Sequence, residues 1–199
     1  MKQYIFYILL LFIFGCAKNK SFNNKYFSLS VPAAFIIDSI NIGEYSSTKF
    51  PGRELISAKD SESYIYSFYS DNKNSKERKG FTIPCTVMQN NLKVNYNEII
   101  LRELEEQKKY FSQNVNQNFE VLIPLKDTIV KNQKYSYYIY QYNNSDNKDV
   151  IKIKRARLFT KVNEKIHDID LVFNSKDKSP VQIQFNELFS IVNTITFRK

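Results

Sequence analysis

The sequence predicts an α+β domain in which an antiparallel sheet is packed by two main helices. Three observations carry this. Several runs alternate apolar and polar residues with period two. Two other runs place apolar residues at helical spacing. The order along the chain is strands, helix, strands, helix. A chain of 199 residues suits one domain, which at this size buries roughly 70% of its unfolded surface and folds without staples.

The elements follow in order. Met1 to Gln3 carry one positive charge, and Tyr4 to Phe14 form an apolar run. That run matches a signal-peptide core and is too short to span a bilayer as a helix. Residues 16–25 are polar with no repeating apolar pattern and are expected to be a tether, reaching about 30 Å when extended. The domain is then expected over 26–199. "KYFSLSVP" alternates cleanly, with Phe27, Leu29 and Val31 on one face, and is closed by Pro32. "AFIID" and "ELISA" are short candidate strands with a Pro51-Gly52 turn between them, and "YIYSFYS" is another strand. Residues 71–80 contain no apolar side chain and are expected to be an exposed loop before "FTIPCTVM".

The period then changes. Asn95 with Glu98 is a capping-box-like start. Tyr96, Ile100, Leu104 and Phe111, with Leu101, give an apolar stripe that predicts a helix over 96–112. "ELEEQKK" is assigned to its solvated face, with Glu105 four residues before Lys109. Strands are expected at 119–123, 134–142, 150–161 and 166–173. The last two form a hairpin around Asn163-Glu164 that sets Arg157 opposite Asp170. A second helix is expected from Ser179, with Pro180 first, Gln182 completing a capping box, and Val181, Phe185, Leu188, Phe189 and Val192 buried.

Two resemblances arise from these residues. Ile13-Phe14-Gly15-Cys16 resembles the lipobox of bacterial lipoproteins, although Ile13 stands where Leu is commonest and Phe14 is bulkier than usual. The resemblance implies cleavage after Gly15 and acylation of Cys16. The physics agrees with that position, since stable anchoring takes two hydrophobic chains and a diacylglyceryl cysteine supplies both. Ala17 follows, with no Asp there, so the resemblance favours the outer over the inner membrane. The order of elements, from the strand "KYFSLSVP" to the closing helix "SPVQIQFNELFSIVNTITF", resembles the PsbP/DcrB-type α/β/α sandwich. Members of that fold are usually extrinsic, non-catalytic modules, which implies no cofactor and no enzymatic activity here.

The residues themselves offer little chemistry. The four glycines lie at 15, 43, 52 and 80, which leaves no Gly-rich phosphate loop. One His and two Cys exclude the HExxH and CxxC zinc spacings. His167, Asp168 and Asp170 alternate along a strand, so they do not converge, and His167 is expected in or at the edge of the core. Cys85 lies in an apolar run and is expected to be a small buried hydrophobe.

The net charge of +9 points to an anionic partner or surface. The expected contact surface is a basic, Tyr-rich sheet face formed by Lys152, Lys154, Arg155, Arg157, Tyr138 and Tyr140. Export argues against nucleic acid, so the expected partners are the membrane, through lipidated Cys16, and an envelope protein with an acidic surface. The function expected is a membrane-anchored module that binds or supports another envelope component. The alternatives are a small-ligand carrier with a pocket between the sheet and the 96–112 helix, or a hydrolase built on carboxylates.

Overall fold

Phe27, Leu29 and Val31 are buried while Ser28 and Ser30 are only partly so, which is the two-residue period that makes 27–32 a strand with one face inside. The computed structural model describes residues 19–41, 64–70, 79–85, 96–113, 118–146, 149–162 and 165–198. "ELISA", the Pro51-Gly52 turn, Asn95 and the 71–78 segment lie outside them.

The described residues form ten strands and two helices. In chain order the strands are β1 (Asn19–Asn23), β2 (Phe27–Pro32), β3 (Phe35–Asn41), β4 (Tyr64–Ser70) and β5 (Gly80–Cys85). Helix α1 (Tyr96–Ser112) is followed by β6 (Phe119–Val130), β7 (Gln133–Asp146), β8 (Asp149–Val162) and β9 (Lys165–Val172). Helix α2 (Val181–Val192) and β10 (Thr196–Phe197) close the chain. Seven strands make one fully antiparallel sheet, ordered β3-β4-β5-β9-β8-β7-β6, and β1-β2-β10 make a second. The α+β architecture with an antiparallel sheet and two helices is therefore the one the sequence predicts, with the first strand split off into its own small sheet.

Both faces of the large sheet are covered. One face packs against α2 and the small sheet, through Phe27, Phe68, Phe81, Leu158, Leu171, Phe185 and Leu188 among others. The other packs against α1, through Ile99, Ile100, Leu104 and Phe111 on the helix and Tyr138, Tyr140, Phe159 and Ile166 on the sheet. A sheet covered on both sides loses its polar face, which is why β7 runs buried without interruption from Tyr135 to Tyr140.

Several expectations need correction. Residues 19–23, assigned to the tether, form β1, so the folded domain reaches back at least to 19 rather than starting at 26. Phe22 drives this, packing against Phe27, Tyr66 and Phe68 with ring centroids 5.2–5.6 Å apart. Leu101 is 48% exposed and Ile99 takes its place in the buried stripe of α1. No side chain caps α2: Gln182 bonds to Asn186 instead, and buried Gln184 donates to the carbonyls of Asp177 and Ser179. Strand β6 extends to Val130 because Lys131 and Asn132 both take positive φ, the geometry of a tight two-residue hairpin. Gly80, placed in a loop by the sequence, opens β5. A Cβ there would lie 2.1 Å from the Phe68 carbonyl oxygen, so this close strand approach requires glycine.

Candidate functional site

Five charged side chains meet between the large sheet and α1. The hairpin of β8 and β9 pairs in the expected register, with Arg157 opposite Asp170. The ion pairs are nevertheless diagonal. Arg157 bonds through both Nε and Nη2 to Asp168, and Arg155 reaches Asp170 at 3.1 Å. Diagonal neighbours in a twisted antiparallel pair lie within reach of a long side chain, and each guanidinium leans by the same two residues.

Arg157 also bonds Glu103 of α1 at 2.6 Å. Glu103 was assigned to the solvated face of the helix, but it is buried. The signal was present in the sequence. Ile99, Ile100, Glu103 and Leu104 share one face at spacings of three and four, so the stripe contains an acid. Arg157 is thus held from both sides, by the sheet through Asp168 and by the helix through Glu103, and its guanidinium lies 5.7 Å from the Phe159 ring centroid.

Burial and charge compete here. Burial works against the Arg157 charge, but Asp168 and Glu103 outweigh it and hold its pKa well above the ordinary value. Burial pushes the Tyr138 and Tyr140 hydroxyls far above the usual phenol range. Burial also raises the Asp170 carboxyl above 3.8, against the pull of Arg155 and Arg157. Arg155 Nε, Asp170 Oδ1 and the Tyr138 hydroxyl are buried with no hydrogen-bond partner among the described residues. The Arg157 end of the layer is well paired, whereas the Arg155 end is only partly satisfied.

The sign of the resulting pH dependence follows. Folded Asp170 keeps its proton to higher pH than unfolded Asp170, so its contribution to stability is present below the unfolded pKa and is lost as pH rises through the folded one. Asp170→Asn removes that titration. The urea midpoint of the variant, relative to the parent, should therefore rise as pH increases from about 4 to about 7. A relative midpoint that falls over that range would contradict this environment for Asp170.

The expected contact surface does not survive intact. Tyr138 and Tyr140 are fully buried beneath α1, and Arg155 and Arg157 are committed to the acids just described. Strand alternation turns Lys152 and Lys154 to the opposite face, where Lys152 is exposed and Lys154 half-buried. His167, Asp168 and Asp170 do not converge: His167 stacks on Phe197 with centroids 4.0 Å apart, on the other side of the sheet from the two acids. Cys85 is the last residue of β5, with its backbone paired to Tyr64. Among the described residues, no group of three or more His, Cys, Asp and Glu side chains is placed to hold a metal ion.

No known family model matches the sequence, and no curated protein does. The solution structure of cyanobacterial PsbP (CyanoP) from Synechocystis sp. PCC 6803 is similar in fold, with a TM-score of 0.55 over 93% of this chain and 95% of that one. The two sequences are 12% identical. With the element order, the doubly covered sheet and this likeness together, the chain has a PsbP-like fold.

Proposed function

We propose that this protein is a lipid-anchored component of the bacterial cell envelope, whose PsbP-like domain binds or supports another envelope component without catalysing a reaction. The observation that carries it is the junction at Ile13-Phe14-Gly15-Cys16, with strand β1 of the domain already in place at Asn19. The outer membrane is the favoured site, from Ala17 after the cysteine.

The distribution of chemistry supports a binding role. Glu103 and Asp168 both face Arg157, so two of the buried carboxylates are occupied in holding α1 to the sheet. A carboxylate hydrolase would need such groups in a cleft. The carrier alternative needs a cavity under α1, and that space holds Ile100, Leu104, Phe111, Tyr138, Tyr140 and Phe159.

Cys16→Ser tests the anchor. In a bacterial host fed labelled palmitate, the parent should incorporate label and the variant none. Labelling of the variant would show that the lipobox assignment is wrong. Crosslinking in the native envelope, read by mass spectrometry, should then recover a component joined to the domain.

A further inference from the structure

One end of the sandwich collects the start of the chain and a group of lysines. The small sheet brings Asn19 opposite Pro32, and Lys20 Nζ donates to the carbonyl of Phe35. Phe35 pairs with Ser70, Tyr69 with Gly80, Gly80 with Val172 and Val172 with Arg155. This row of paired residues is the end of the large sheet from which the 173–180 segment leaves toward α2. Asn19 lies three residues from Cys16, so the acylated residue can sit no more than about 10 Å beyond the fold. The β7–β8 hairpin continues past the row. Lys152, three residues beyond Arg155, lies about 10 Å further out, a reach like that of Cys16.

We propose that this end of the domain is a membrane-apposed face, on which Lys152, Lys154, Lys176 and Lys178 contact anionic lipid headgroups. The inference rests on the lipid anchor proposed above and adds the orientation of the domain on it. Lys152, Lys176 and Lys178 are exposed and Lys154 is half-buried. Of the acids nearby, Glu187 is paired by Lys79, and Asp177, which accepts from the Ser179 backbone N–H, has its carboxyl lowered by its bonds to Ser179 and in part by Lys79 and Lys154. The far end of the sandwich is basic too, with Lys131 and Lys161 exposed. The position of the chain start separates the two ends. With so short a link, the end bearing Asn19 is held at the headgroup level, where attraction operates within a Debye length.

The acylated full-length mature protein, reconstituted into vesicles of phosphatidylcholine alone or of phosphatidylcholine with phosphatidylglycerol, tests this through the rate at which each lysine reacts with an amine-acylating reagent. On the anionic vesicles Lys152, Lys154, Lys176 and Lys178 should react roughly fivefold more slowly, and added salt should restore them. Lys131 and Lys161 should be unchanged. Equal rates on both vesicles overturn the proposal. Slowing that occurs in the native envelope but not on anionic vesicles also overturns it, and places a protein partner on this end instead. Intact mass separates the two levels: a chain without acyl groups defeats the anchor, whereas an acylated chain with no lipid-dependent slowing defeats the face alone.

Discussion

Arg157→Met should destabilise the domain by about 3–5 kcal/mol, because it leaves Glu103 and Asp168 buried without their shared counter-charge. Their side chains are 10% and 5% exposed, so solvent screens them little. The expected result is a large fall in urea midpoint, with early loss of amide protection in α1, since Glu103 is the helix's ionic link to the sheet. The informative comparison is the concerted replacement of all three groups by apolar residues of similar volume. Removing the charges together also removes their desolvation cost, so that variant should match or exceed the parent in stability. If Arg157→Met is nearly neutral, the three-way clamp is not as described. If the apolar triple variant is as unstable as the single one, packing rather than charge sets the cost.

Phe68→Ala should cost about 3–5 kcal/mol for a different reason. Phe68 is fully buried where the two sheets meet, stacked on Phe81 at 5.0 Å and edge-on to Phe22 at 5.2 Å and Phe27 at 6.2 Å. Truncation leaves a cavity that rings from three strands cannot fill without moving the small sheet. Hydrogen exchange should quicken in β1 and β2 before it does in β7 and β8. Uniform acceleration across both sheets would show that the small sheet does not open separately.

The period-two and helical patterns made most elements legible. Helix α1 occupies the residues its stripe predicts, and the β8–β9 register is the one set by its short turn. These features are local: a strand or helix is encoded by the spacing of its own apolar residues. Strand β1 was not legible, because Asn19–Asn23 presents one large apolar residue, Phe22, amid polar neighbours. Its place depends on Phe27, Tyr66 and Phe68, which come from elsewhere in the chain. Glu103 was half-legible. Its helical spacing marks the buried stripe, but only the approach of Arg157 makes burial of an acid tolerable.

The candidate surface shows the same division. The sequence placed cations and tyrosines together on neighbouring strands, and they are together. Alternation along β8 separates Lys152 and Lys154 from Arg155 and Arg157, but it does not say which face is covered. The sequence by itself determined the α+β class, most of the main elements and the pairing of β8 with β9, because each follows from contacts between near neighbours in the chain. Only the tertiary structure decided that α1 lies over the tyrosines and arginines, leaving Lys152 and Lys154 on the other face of β8. That choice is made by α1 and the large sheet burying their apolar surfaces together, with the charges inside held in pairs, and no local spacing records it.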